Sequence, residues 1–320
     1  MKRCGRLPNY KVDVIRDEPR DRNKPDNISG RMEVSIITCN TPTLQSYLYV
    51  GSGKYFIEPV KLSLTGHRFT ELVDLLSEKL TFRVSDFVRV GGLPTIPASS
   101  VKGNIRGRLE LSFRAHKGRV RSCFSRASTH PPLGIYQRHK TIWGDVLNED
   151  RGRPCDLTSM NEVCLICDLF GTAGLSSLIC FEDFVGRKVT LEEIEIDGTR
   201  ILAAPPGSEF EGVINFTNLK EEELGLLFLG MGLKESVKGR PLLLGKLKYR
   251  GWVGSKLLGR ITYVVKALHL SNYSRNIEGF NLRSFRDEGE LTLLITNLTS
   301  ATLQRFSDEF KVVDEVAGLA

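Results

Sequence analysis

Strand-like and helical stretches alternate along this 320-residue chain as two strand–helix–strand halves. Glycine-marked turns separate them, and a long polar stretch and a shorter charged one interrupt them. Together these observations predict an α+β fold of ferredoxin-like (RRM-like) type with large insertions.

Residues 1–31 mix both charges with Pro8, Pro19 and Pro25 and show no period, which predicts an irregular arm ahead of a single domain over 32–320. Met32–Cys39, MEVSIITC, alternates as a strand does, and the following stretch leads into the turn Gly51-Ser52-Gly53. Leu72, Leu75, Leu76 and Leu80 have helical spacing, so residues 69–80 read as a short packing helix before the extended run TFRVSDFVRV. Pro94 and Pro97 bracket the approach to a helix from Val101 to about Phe113, with Ser99 or Ser100 as its N-cap.

Residues 114–168 are polar, basic and without period, an insertion that reads as an elaborated loop. Strand-like runs return at Ser177–Val185, Ile201–Ala204 and Phe210–Phe216, the last pointing Phe210, Ile214 and Phe216 inward. A second, shorter and charged insertion occupies 186–205. Glu221–Leu229 is helical, and Leu242–Val265 is punctuated by glycines before the strand ITYVVKAL. Leu291–Ser300 and Thr302–Val313 are weakly helical.

At 320 residues a core can form without disulfides or metal, and 41% hydrophobic with 26% charged residues is ordinary for a globular protein. The net charge of +7 permits a polyanionic partner without requiring one. Seven cysteines form an odd set with no secretory signal, so the chain reads as cytoplasmic and a disulfide framework is not expected. No segment approaches the roughly 20 apolar residues of a membrane span, and no membrane partner is expected.

The most informative stretch is Ile96–Glu110, IPASSVKGNIRGRLE. Val101, Ile105, Leu109 and Phe113 recur every four residues and form a stripe for the core. Lys102 and Arg106 align on a neighbouring face, Gly103 and Gly107 on another. Each glycine costs the helix about 1 kcal/mol relative to alanine, so two at matched spacing ask for a close approach by another backbone. A smooth strip beside two cations, near a helix N-terminus opened by Ser99 and Ser100, suits sugar-phosphate; tight packing with solvated cations is the bland alternative. Further along, Leu244–Val253, LGKLKYRGWV, sets Lys246, Lys248 and Arg250 among glycines, including Gly251, where amides and cations can meet phosphate. A tight turn with solvated cations explains the same residues.

Cys164 and Cys167 form a CxxC, with Cys155 nine residues earlier. Three soft ligands in so short a stretch suit tetrahedral Zn²⁺, and Cys123, His130 or His139 supplies the fourth. A full shell leaves no open position, so such a zinc is structural.

The order Pro97, Ala98, Ser99-Ser100, Val101, Lys102-Gly103, Arg106 resembles the signature of the RAMP superfamily of CRISPR-associated proteins. Leu169-Phe170-Gly171 with Gly174-Leu175-Ser176-Ser177, then Pro206–Phe210, then Gly245–Gly254 follow in the same order, so the resemblance covers most of Val34–Ala267. The family usually has Arg-Gly-aromatic-Gly in the last motif, whereas this chain has Arg250-Gly251-Trp252-Val253-Gly254. The spacing is most similar to the repeated backbone subunit of type III effector complexes. That resemblance implies a modified ferredoxin-like fold along the guide RNA, with other effector subunits and complementary target RNA as partners. It implies a zinc held by a cysteine cluster before the Leu-Phe-Gly segment and a thumb-like hairpin in the place of 186–205. It also implies one aspartate supporting divalent-metal-dependent cleavage of target RNA, for which Asp86 stands nearest.

Asp86 lies in an alternating strand-like run, where a carboxylate paired with Arg83 or Arg89 is the plain reading. Two other functions fit the family or the composition. One is a metal-independent guide-processing endoribonuclease using a histidine such as His67 or His130. The other is a zinc-stabilised protein-interaction subunit with no RNA contact.

Overall fold

The computed structural model describes residues 10–24, 26–57, 68–71, 73–74, 83–125, 136–250, 252 and 256–317. The predicted helix over 69–80 falls largely outside them. The main elements ahead of the long insertion among the described residues are β1 (Ile28–Thr38), β2 (Gly51–Ile57), β3 (Arg83–Phe87), β4 (Leu93–Ile96) and α1 (Ala98–Ser112). The insertion contributes α2 (Tyr136–Trp143) and, at its end, α3 (Leu165–Phe170). The second half holds β5 (Ile179–Phe181), β6 (Phe184–Val185), β7 (Glu192–Ile196), β8 (Thr199–Ala203), β9 (Glu209–Leu219), α4 (Glu221–Gly230), β10 (Arg260–Leu270) and α5 (Glu288–Arg305).

The main sheet runs β10-β1-β9-β6-β4, with β5 beside β9 and each of these pairs antiparallel. β1 is central because its alternation places Met32, Val34 and Ile36 on one buried face. Ile36 lies between Phe210 of β9 and Tyr263 of β10, so three long strands share one hydrophobic row. α1 lays Val101, Ile105, Leu109 and, at its C-cap, Phe113 into the core, all fully buried as their spacing predicts. α4 and α5 press together where α4 carries Gly225, since a Cβ there would sit 2.5 Å from the Leu298 carbonyl oxygen. The two weakly helical C-terminal stretches prove to be one helix, α5, which ends at Arg305.

A second, four-stranded sheet runs β7-β8-β3-β2. β7 and β8 form a hairpin closed by Asp197-Gly198, both at positive φ, the two-residue turn that matches strand twist. The charged 186–205 insertion is thus a built hairpin.

The arm departs from the expectation of irregular chain. Tyr10–Lys11 pairs in parallel with Glu149–Asp150, Asp13–Val14 pairs with Arg119–Val120, and Asp17 bridges Val163. β1 itself begins at Ile28. The arm is therefore a strap laid across the long insertion. It lacks period because it takes its hydrogen bonds from the insertion and so has no face of its own to alternate.

Candidate nucleic-acid interface and metal centre

An open groove of about 430 Å³ lies between the exposed side of α1 and the glycine loop 244–250. Ser99, Ser100, Gly103 and Gly107 line it from the helix, and Gly245, Lys246 and Lys248 line it from the loop. Two motifs some 140 residues apart in sequence therefore face one cleft. An alanine Cβ built at Gly103 would meet nothing within 4 Å, so none of the described residues makes the close approach that its helical glycine predicted. The space it keeps clear belongs to the groove.

The loop is held from behind. Gly245 has φ +86°, and a Cβ there would strike the Tyr49 carbonyl oxygen at 2.6 Å. Arg260, buried on β10, donates from Nη1 to the carbonyls of Lys248 and Arg250 at 3.1 and 3.2 Å. Arg138 of α2 donates to the Tyr249 carbonyl at 2.8 Å. These contacts turn loop carbonyls towards two guanidiniums, the buried one of Arg260 and the exposed one of Arg138. Burial pulls Arg260 down to about 10, helped by the nearby Arg138 charge, and likewise lowers Lys248. Lys246 stands exposed, and Arg250 pairs with Asp197 at the hairpin tip. Gly251 lies outside the described residues.

Sequence reasoning missed the polar floor. Asn104, one residue from Gly103, donates from Nδ2 to the Leu243 carbonyl at 2.7 Å and accepts from Tyr263 at 3.3 Å, tying helix to loop. Arg108 is buried, pairs with Glu315 near the C-terminus and donates to the Gly230 carbonyl at 2.6 Å. Asn104 was within reach of the sequence, because it shares the helix face of the glycines. Glu315 carried no such signal.

Three expectations about α1 need correction. Ser99 and Ser100 do not cap it; Pro97 is the N-cap residue, and the Ala98 N–H is taken by Asp183 Oδ1 at 2.7 Å. Lys102 is half-buried and does not line the groove; burial lowers its pKa. Arg106 turns inward, donating to Glu110 at 2.7 Å, to the Gly171 carbonyl at 2.7 Å and to Cys167 Sγ at 3.3 Å. Burial opposes its charge, yet Glu110 and the Cys167 thiol together raise its pKa. The glycine strip and Arg106 thus part company: Gly103 and Gly107 face the groove, Arg106 the cysteines. The groove's lysines come from the loop, while Arg108 of α1 lies in its floor paired with Glu315.

Cys123, Cys155, Cys164 and Cys167 are all buried, and their sulfurs lie within 4.8 Å of one another. Cys123 and Cys167 sulfurs are 3.4 Å apart, Cys123 and Cys164 sulfurs 3.7 Å. Four thiolates 2.3 Å from one tetrahedral ion would stand about 3.8 Å from each other, so the cluster has the dimensions of a single-ion cage. Mutual hydrogen bonding among the thiols lowers Cys155 and raises Cys164. The donor set suits a soft divalent ion. His139 is elsewhere, its ring 5.2 Å from Tyr249 beside the groove, and His130 is outside the described residues.

Asp86 sits on β3 with its carboxylate 3.4 Å from Arg89 Nε, and its carbonyl accepts from Ser52 at 3.2 Å. Its neighbour Phe87 pairs with Gly51 of β2, which also borders the groove with Val50.

Fold and site together define an α+β protein with an open, lysine-edged groove and a cysteine cage beside the same helix. Its sequence matches the family described as the RAMP superfamily over residues 42–289, and the chain belongs to that superfamily. No curated protein matches it in sequence. The crystal structure of Csc2 from Thermofilum pendens aligns with 93% of this chain and 82% of its own at 16% identity, with a TM-score of 0.35, too slight a likeness to argue from. No helix among the described residues is long and apolar enough to cross a membrane.

Proposed function

We propose that this chain is an RNA-binding subunit of a type III CRISPR effector complex, working in the cytoplasm and gripping the guide RNA backbone without reading its sequence. The observation that carries the reading is the groove, where Gly103 holds space that none of the described residues fills and Lys246 and Lys248 stand opposite. A helix flank without side chains lets a sugar-phosphate backbone come close, while lysines neutralise phosphate and leave bases unread. The sheet order β10-β1-β9-β5 around α1 and α4 supports a ferredoxin-like core, with residues 32–320 as one RAMP domain. The four cysteines are proposed to hold a structural Zn²⁺, which would fasten the 114–168 insertion to α1 and take no part in chemistry. Target cleavage, where it occurs, is assigned to Asp86 with a divalent ion.

The test is binding of fluorescent single-stranded RNAs of unrelated sequence at several salt concentrations. Similar affinities that fall steeply with salt are expected. Replacing Lys246 and Lys248 with alanine should weaken binding and shallow the salt dependence by about 0.7 per lost phosphate contact. An unchanged slope in that variant would remove the groove from the RNA path.

A further inference from the structure

Arg106 has the look of a phosphate-binding residue in the sequence and serves something else in the fold. Its guanidinium divides three donors among Glu110 at 2.7 Å, the Gly171 carbonyl at 2.7 Å and Cys167 Sγ at 3.3 Å. Glu110 is fully buried and also accepts from the backbone N–H and hydroxyl of Ser125, both at 2.9 Å. Ser125 lies two residues after Cys123 and Gly171 four after Cys167. One ion pair on α1 therefore grips both chain segments that bring cysteines to the cage.

We propose that Arg106 is the outer-sphere charge partner of the four-cysteine metal site, fixing Cys167 and offsetting the negative charge that the occupied cage carries. The inference rests on the metal reading given above. Four thiolates around one divalent ion leave a net charge of −2, costly in a buried site unless N–H donors and a cation oppose it. Backbone donors meet part of this demand: Cys123 N–H points to Cys164 Sγ and Cys164 N–H to Cys155 Sγ, each at 3.3 Å. Among the hydrogen bonds of the described residues, the full charge that reaches a cluster sulfur is that of Arg106. Outer partners of this kind orient a ligand and tune its basicity, and losing one typically lowers metal affinity 10–100-fold.

The experiment is zinc affinity by chelator competition, with the cobalt-substituted protein followed by its sulfur-to-cobalt absorption. Wild type is compared with Arg106→Gln and Arg106→Lys, each checked for folding by circular dichroism. Arg106→Gln is expected to weaken zinc binding about 10–100-fold, and Arg106→Lys, which keeps charge but loses the three-way fork, to fall between. Equal affinity in wild type and Arg106→Gln overturns the inference while leaving the metal site standing. A wild-type protein that binds no zinc overturns both. Should Arg106→Gln fail to fold, exchange of the Arg106 guanidinium protons in wild type decides by NMR. Slower exchange on zinc loading supports the role; exchange that zinc leaves unchanged sinks it.

Discussion

Gly103 isolates the groove reading at a single Cα. Alanine there meets no atom of the described residues, so Gly103→Ala should stabilise the helix by about 1 kcal/mol while weakening RNA binding. Chemical denaturation and RNA titration on the same variant would check both halves. A gain in stability with unchanged affinity would return this glycine to chance. Asp86 poses the complementary question. If its carboxylate supports cleavage, Asp86→Asn in the assembled complex should abolish cutting of complementary RNA and leave guide affinity as it was. Because Arg89 already occupies one oxygen at 3.4 Å, cutting that persists in the variant would leave the residue as a strand-edge ion pair.

At the scale of elements, the glycine loop and the cysteine-bearing insertion are each held in shape from outside themselves. The loop depends on left-handed backbone at Gly245 and on two guanidiniums behind it. Gly245→Ala would force a Cβ against the Tyr49 carbonyl, so a loss of more than about 1 kcal/mol in denaturant unfolding is expected, along with weaker RNA binding. The insertion depends on the cage. Stripping the proposed zinc, or replacing Cys164 with serine, should raise hydrogen exchange across Arg119–Val120 and α3 while leaving β1, β9 and β10 protected. Uniform loss of protection would mean that the cage supports the whole core.

Across the molecule, the arm joins the insertion to the second half. Arg20 pairs with Glu223 at 2.7 Å and Asp168 at 2.8 Å, and Arg22 reaches Asp168 at 2.6 Å. Asp168 follows Cys167 directly, and Glu223 opens α4, so one arginine links strap, cage and core. Burial holds Glu223 above the ordinary carboxylate range even with Arg20 opposing it. Removing Arg20 leaves that charge without its main partner, and Arg20→Ala should cost about 3–5 kcal/mol at neutral pH. A carboxyl with a raised folded pKa favours the folded state below its unfolded pKa and loses that contribution as pH rises through the folded value. The variant's deficit should therefore shrink on mild acidification, as Glu223 takes up a proton. Denaturation of both proteins between about pH 4 and 7 would show it, and a deficit independent of pH would argue against Glu223 as the cause.

The sequence by itself determined what is periodic or local. Alternation in β1 and β9, the four-residue stripe of α1, the CxxC and the order of glycine motifs all follow from backbone repeat or from chemistry within a few residues. Even the family was legible, since its motifs are short and lie in order. What only the tertiary structure decided was which faces meet. Lys102 and Arg106 look alike on a helical projection, yet Arg106 faces a buried carboxylate and a thiol that reach it from the insertion. Cys123 rather than His139 joins the cage because the path of residues 114–125 and 136–168 is set by the arm and α1, not by spacing. Glu315 lies beneath the groove for the same reason: a partner more than 200 residues away leaves no trace in local pattern. The burial that makes its pairing with Arg108 necessary arises only once the chain has closed over them.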